Sequence, residues 1–260
     1  MMEIGIDFTK SAQENANDYY SRSKKLVVKR EGAEKAIKEL ESRLVEIQKN
    51  LPTKKERTVI KVVKKEWYEK FHWFFTSNDM LTIGGRDAQQ NEQLNSKYFD
   101  DKDLFFHANV FGADVVILKG GASTGKETRE EVAEFAACYS RAWGEGLHTV
   151  DVYAMKREQV SKSSSKGSLG TGSFLLSGER DWYRNVPLSL VMFLKNGKLN
   201  TVPSKTFENI PKDVLPIFAR IKQGNYKKSD IAKKIAAKLQ YNNIDEIMRQ
   251  LPPAGGFRME

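Results

Sequence analysis

The sequence has very little of three things: sulfur chemistry, histidine and long apolar runs. Cys138 is the only cysteine in 260 residues, which excludes an intramolecular disulfide and a thiolate metal cluster. It sits in Ala136-Ala137-Cys138-Tyr139 and reads as a small buried residue on a helix. His72, His107 and His148 are far apart and lack partners at metal-ligand spacing, so neither a metal site nor a cofactor is expected. No apolar stretch approaches the roughly twenty residues of a membrane span. The start, Met1-Met2-Glu3-Ile4-Gly5-Ile6-Asp7, lacks the basic and apolar regions of a signal peptide. The expectation is a reducing, cytoplasmic setting without membrane contact.

What is present is charge. Charged residues make up 30% of the chain and hydrophobic ones 40%, a shift that a long solvent-exposed helix produces. The net charge of +9 is unevenly placed. Residues 1–70 carry 17 basic and 12 acidic side chains, residues 71–150 carry 7 and 12, and residues 151–260 carry 19 and 10. Separate positive faces are implied, of the kind that attract phosphate backbones, although basic surfaces also occur on proteins that bind no nucleic acid.

From Ala12 to Leu51 a heptad is sustained. Ala12, Ala16, Tyr19, Ser23, Leu26, Arg30, Ala33, Ile37, Leu40, Leu44, Ile47 and Leu51 alternate spacings of four and three, as in a coiled-coil seam. Thr9 or Ser11 caps the start, with Glu14 completing a capping box from Ser11. Pro52-Thr53 breaks the helix, and Val59, Val62 and Glu66 resume a shorter pattern. The spacing predicts an antiparallel coiled-coil hairpin over residues 9–66, with a homodimeric coiled coil as the alternative partner for the seam.

Residues 67–260 read as one α+β (mixed α/β) domain. Strands are expected at 71–75 and 80–83 around a Ser77-Asn78-Asp79 turn, and at 104–109, 115–118, 149–155, 173–176 and 188–194. Helices are expected at 88–98, at 127–143, from a Ser229 cap through Ile231, Ile235 and Leu239, and around Ile247 and Leu251. Ser161 to Gly172 is a Ser/Gly-rich basic loop.

Gly120-Gly121-Ala122-Ser123-Thr124-Gly125-Lys126 follows a strand and precedes a helix, as a P-loop does. The next residue is Glu127, however, where Ser or Thr must reach Mg²⁺, and a carboxylate there repels the β-phosphate. Nucleotide hydrolysis is therefore set aside, and no enzyme activity is expected.

Glu66-Trp67-Tyr68-Glu69-Lys70-Phe71-His72-Trp73-Phe74, followed by Ile83-Gly84-Gly85-Arg86-Asp87-Ala88-Gln89-Gln90-Asn91-Glu92, resembles the start of the NFACT-R domain. That domain belongs to the family named after NEMF, FbpA, Caliban and their relatives. The resemblance continues through His107-Ala108-Asn109, Gly112-Ala113, Tyr139-Ser140-Arg141-Ala142-Trp143, Gln159-Val160-Ser161-Lys162, Gly172-Ser173-Phe174 and Gly178-Glu179-Arg180. Ser11-Ala12-Gln13-Glu14-Asn15-Ala16 is similar to the entry of the coiled coil that precedes the domain, and Leu251-Pro252-Pro253 to the tail of archaeal members. The sequence departs from the pattern at Asn109, where the family often has Asp, and at Arg157 and Ser168.

The resemblance implies the C-terminal half of a factor that binds the large ribosomal subunit still holding peptidyl-tRNA. Such a factor engages peptidyl-tRNA and incoming aminoacyl-tRNA and supports template-free tailing of the stalled chain. The remainder of the full-length factor, its N-terminal domain, would be a further partner. Other readings are a coiled-coil adaptor recruiting proteins and a lone NFACT-R domain binding DNA.

Candidate nucleic-acid-binding residues follow. Arg86 and Asp87 lie beside exposed backbone after Gly84-Gly85, an arrangement suited to phosphate, and Gln90 and Asn91 add donors toward sugar or base edges. His107 is a further candidate, although in the apolar Leu104-Phe105-Phe106 strand it reads more readily as a hydrogen-bonded core histidine than as a catalyst. Lys162, Lys166 and Arg180 flank the glycine- and serine-rich loop. Against these stand an internal Arg86–Asp87 pair and a mobile basic loop. Trp67, Trp73 and Trp143 are expected in the core rather than on bases.

Overall fold

The structure, a computed structural model, describes residues 5–50, 66–164, 167–211, 216–253 and 255–260. The chain divides into two units, Met1–Val63 and Lys64–Glu260.

In the first unit, α1 (Ala12–Asn50) is one unbroken helix of 39 residues, about 58 Å long at 1.5 Å per residue. The capping box forms: Glu14 N donates to Ser11 Oγ at 3.3 Å, and Ser11 N donates to Glu14 Oε2 at 2.8 Å. The segment before the helix is tied to its first turns, since Asp7 N donates to Asn15 Oδ1 at 2.9 Å and Lys10 pairs with Asp18 at 2.6 Å. Leu26, Ile37, Leu40 and Leu44, all seam positions, are more than half exposed. The second arm expected through Val59 and Val62 lies outside the described residues. Among the described residues the first unit is one long helix whose seam positions Leu26, Ile37, Leu40 and Leu44 are exposed.

The second unit is α+β, built on two antiparallel sheets. Its elements run β1 (His72–Phe75), β2 (Leu81–Gly84), α2 (Ala88–Lys97), β3 (Leu104–Ala108), β4 (Val116–Leu118), α3 (Lys126–Cys138) and β5 (Thr149–Lys156). Short ladders follow: β6 (Val160–Ser161), β7 (Ser163–Ser164), β8 (Gly167–Ser168) and β9 (Leu175–Leu176). Then come β10 (Asp181–Pro187), β11 (Ser189–Lys195), β12 (Lys198–Pro203), α4 (Ser204–Glu208), β13 (Phe218–Tyr226), α5 (Lys228–Leu239), α6 (Ile244–Gln250) and β14 (Phe257–Met259). The large sheet has the order β1-β2-β4-β3-β5-β10 and the smaller one β12-β11-β13-β14.

Register explains the uninterrupted apolar runs. Ile83, Ile117, Phe105 and Met155 are successive cross-strand partners on one face of the large sheet. Leu118 with Leu104, and Val116 with Phe106 and Ala154, form the neighbouring rows on the opposite face. Both faces are covered, so the central runs Leu104-Phe105-Phe106 and Val116-Ile117-Leu118 are apolar at every position. One side packs with Leu94 of α2, and the other with Val132 and Phe135 of α3, in a core that continues into the smaller sheet, α5 and α6. Each such buried side chain contributes roughly 1.5–3 kcal/mol.

Three expectations change. The helix expected to reach Trp143 stops at Cys138: buried Ser140 donates to Ala137 O at 2.7 Å and accepts from Ala142 N at 3.3 Å, competing with helical bonds. A separate turn, Arg141–Trp143, then delivers Trp143 fully buried into the core. Ser229 does not cap α5, whose N-cap is Lys227. Of the three tryptophans placed in the core from sequence, only Trp143 is buried; Trp73 is half-buried, and Trp67 is 45% exposed and stacked on Tyr98.

Glu134, on the buried face of α3, accepts a bond from Lys205 N at 2.9 Å, yet burial pushes its pKa up to about 7. A carboxyl that holds its proton more tightly folded than unfolded makes the fold lose stability as pH rises from its ordinary value of 4.5 toward 7. Glu134→Gln is expected to narrow the difference in melting temperature between about pH 5 and about pH 8. Thermal melts across that range check it, and an unchanged difference assigns the slope to other groups.

Candidate nucleic-acid interface

The turn after β2 is built by glycine and amides. Gly85 N donates to Val115 O at 3.0 Å, and Val115 N donates to Asn91 Oδ1 at 3.1 Å, so Asn91 extends the ladder by one rung. A Cβ on Gly85 would lie 2.0 Å from that oxygen, which is why glycine is required. Asp87 caps α2 by accepting from Gln90 N at 2.8 Å, and Gln90 Oε1 accepts from Arg86 N at 3.3 Å. No ion pair joins Arg86 to Asp87; Arg86 Nη2 reaches Phe71 O at 2.9 Å instead. The donors of this turn are thus largely engaged in shaping it, and Arg86 is its one cation.

Lys162 is engaged as well. It pairs with Glu92 of α2 and donates to Gly170 O at 2.7 Å, while Gly172 N donates to Glu92 at 3.1 Å. Glu92 and Lys162 clamp the Ser/Gly-rich loop to α2, with Gly172 at φ +75° packed on Ala88. Lys166 lies outside the described residues.

Arg180 has a different setting. His107 on β3 is the register partner of Tyr153 on β5, and Tyr153 is the partner of Trp182 on β10. Because side chains alternate along a strand, cross-strand partners share a face, so the three rings form one row. Ring centroids are 5.6 Å apart for His107–Tyr153 and 5.3 Å for Tyr153–Trp182, and Tyr153 Oη meets His107 Nδ1 at 3.2 Å. The Arg180 guanidinium lies over Tyr153 at 4.6 Å and near Trp182 at 5.8 Å; that of Arg184 lies over Trp182 at 4.1 Å. Both arginines are exposed, and among the described residues Arg180 makes no ion pair, while Arg184 pairs with Asp151 at 2.6 Å.

Burial lowers the pKa of His107, with Arg180 adding to the effect, so the ring is neutral at pH 7. The row therefore ends in an uncharged hydrogen-bonding ring, and its positive charge comes from the two arginines. Stacked guanidinium planes over aromatic rings present a flat cationic surface, which accepts a base on its outer face and a phosphate at its edge.

The edge strand β10 carries the row around to a groove of about 610 Å³. Lys126, Lys205, Arg220 and Lys222 line it together with Arg184, against Glu130, Glu134 and Glu208. Between Tyr183 and Val186 a bulge interrupts the pairing of β10 with β5, with Asn185 at φ +53°. Bulges of this kind re-aim side chains at sheet edges. Of the residues singled out from sequence, the structure brings His107 and Arg180 together, while Arg86, Asp87, Gln90 and Asn91 gather at the β2–α2 turn. Tyr153, Trp182 and Arg184 carry no sequence signal beyond an aromatic beside cations.

The P-loop-like segment is a packing element. Gly120, at φ +68°, donates to Asp103 at 2.8 Å, a Cβ on Gly121 would strike Leu118, and Lys126 points outward to Glu130.

The family described as NFACT protein RNA binding domain matches residues 70–178. The archaeal Rqc2 homolog aRqcH of Methanocaldococcus jannaschii is 39% identical over 75% of this chain and 30% of its own length. The ribosome quality control complex subunit NEMF homolog of Drosophila melanogaster is 33% identical over 74% of this chain and 20% of its own. Human ribosome quality control complex subunit NEMF is 35% identical over 66% of this chain and 16% of its own. The chain thus spans less than a third of the length of these relatives.

Proposed function

We propose, from the premise that this chain carries an NFACT-R region of the kind found in the Rqc2, NEMF and RqcH proteins, that it is the RNA-gripping part of a cytoplasmic ribosome quality-control factor. It engages tRNA on the large ribosomal subunit and so supports template-free tailing of stalled chains, the bond-forming step being left to the ribosome. The observation that carries the reading is the row His107–Tyr153–Trp182 with Arg180 and Arg184 laid over it. An aromatic face with two exposed guanidiniums suits single-stranded or looped RNA, where bases are free to stack. Around the β10 edge the groove adds five cations, each paired with a carboxylate that a phosphate backbone would have to displace.

The direct test is equilibrium binding of tRNA to the full chain over a series of salt concentrations. Binding is expected to weaken steeply, with a log–log slope of about −0.7 to −0.9 for each phosphate contact. Absence of binding at low salt, or a flat salt dependence, overturns the reading.

A further inference from the structure

Three cations from separate elements act on one another: the charge of Arg86 reaches Lys228, and that of Arg249 reaches Arg86. Arg86 leaves the β2–α2 turn and holds Phe71 O through Nη2 at 2.9 Å, while its Nε is buried without a hydrogen-bond partner. The next residue, His72, is buried, and its ring stacks on Tyr139 at 3.9 Å. Tyr139 Oη donates to Gln250 O at 2.6 Å, and Lys228, the first residue of α5, donates to Leu251 O at 3.0 Å. Arg249, exposed on α6, immediately precedes those two carbonyls. The contacts thus run unbroken from the turn to the end of α6.

Among the described residues none of Arg86, Lys228 and Arg249 makes an ion pair. Arg86 and Lys228 are held by neutral carbonyls, Phe71 O and Leu251 O. Burial lowers the pKa of Lys228, and the Arg86 charge lowers it further; burial likewise lowers that of Arg86, with Arg249 adding to the effect. His72 is held well below its usual range by burial, Arg86 and Lys228, so it stays neutral. Of the neighbouring carboxyls, Asp87 caps α2, and Asp114 is pushed up to about 7 by burial and by Asp87. Partly buried cations that repel one another and lack a counter-ion are costly. An arrangement of this kind is completed by an anion.

We propose that Arg86, Lys228 and Arg249 form a receptor for a phosphate group, with the β2–α2 turn, α5 and α6 each supplying one cation. Arg86 offers the part of its guanidinium that Phe71 O does not hold, Lys228 a charged ammonium, and Arg249 an exposed second guanidinium on the solvent side. Guanidinium and ammonium donors match the several acceptor oxygens of a tetrahedral dianion. The positive end of α5, which has no side-chain cap, favours the same charge. The phosphate is either an inorganic ion or a backbone group of RNA; in the second case the site adds a further grip to the proposed interface.

The test uses the full chain and inorganic phosphate, without RNA, against chloride at equal ionic strength. Phosphate is expected to raise the melting temperature of the unaltered chain as a saturating ligand does. Lys228→Met and Arg249→Gln should each weaken phosphate binding about tenfold or more. In phosphate-free buffer Lys228→Met should melt no lower than the unaltered chain, because a repelled cation has gone. Equal phosphate responses in all three proteins, or no response beyond chloride, overturn the proposal. Arg249 is exposed, so Arg249→Gln keeps the test open should Lys228→Met fold poorly. Phosphorus NMR linewidths with added tRNA then separate the sources: displacement of phosphate assigns the site to RNA, and co-binding assigns it to the free ion. Since the thermal arm contains no RNA, its failure leaves the tRNA-binding test standing.

Discussion

Trp182→Ala is expected to weaken binding of single-stranded RNA by roughly 5- to 150-fold, the span of about 1–3 kcal/mol for a stacked base. Trp182 is half-buried on an edge strand and supports the Arg184 guanidinium at 4.1 Å, so its loss removes the ring and releases the cation above it. Arg180→Gln removes charge and leaves the rings in place. It is expected to flatten the salt dependence by about 0.7 to 0.9 in log–log slope. The two variants therefore separate stacking from phosphate attraction: the first changes affinity at all salt concentrations, and the second changes the slope. Binding isotherms at several salt concentrations check both, with thermal melts confirming that each protein is folded. A Trp182→Ala protein that is folded and binds with unchanged affinity moves the stacking surface elsewhere.

The largest expected loss of stability is at Glu131, a wholly buried carboxylate on α3. It accepts from Ser77 N at 2.9 Å and from the Ser77 hydroxyl in the β1–β2 turn. It also accepts from Thr206 Oγ1 and Asn209 Nδ2, each at 3.0 Å, near α4. One side chain thus fastens α3 to the β1–β2 turn and to α4, which are distant in the chain. Glu131→Leu strands the buried Thr206 hydroxyl and the part-buried donors of Ser77 and Asn209, and it empties a buried anchor point of α3. The cost is about 1–3 kcal/mol for a buried donor and less for the others. A total of about 3–5 kcal/mol follows, lowering the melting temperature by roughly 10 °C for a unit of this size. Glu131→Gln keeps one acceptor oxygen and is expected to lose less than half of that. Chemical denaturation of both variants checks the ordering; a Glu131→Leu protein as stable as its parent contradicts the role assigned to the carboxylate.

The elements most legible in the sequence are those with local signals. The Ser11–Glu14 capping box opens α1 as its spacing requires. The continuous runs Leu104-Phe105-Phe106 and Val116-Ile117-Leu118 become central strands because both faces of their sheet are covered. The strand β10 is obscured by its own irregularity: Asn185 inserts a left-handed residue and a bulge, so the alternation expected of a half-buried strand breaks at Arg184-Asn185. For β12 the informative signal is the Asn196-Gly197 pair, at φ +52° and +75°, which closes a hairpin with β11. The helical pattern through Tyr139-Ser140 hides the break before Trp143, because the break comes from one buried serine bonding its own backbone.

The candidate site was less legible than the fold, and for a physical reason. A row such as His107–Tyr153–Trp182 joins residues on three strands, and only register brings them together. Glycine turns and lysines announce themselves in a sequence, but their donors here are engaged within the domain, as those of Lys162 are by Glu92 and Gly170. Arg86, Lys228 and Arg249 stand up to 163 positions apart in the chain, and only the fold relates them: Arg86 is held on Phe71 O and Lys228 on Leu251 O at the end of α6.

Ultraviolet crosslinking of tRNA to the full chain, with the adducts located by mass spectrometry of the peptides, tests the central claim most directly. Adducts are expected in the peptides of β3, β5 and β10, with Tyr153 and Trp182 foremost. Adducts confined to α1, or to the exposed Trp67–Tyr98 stack, would contradict it.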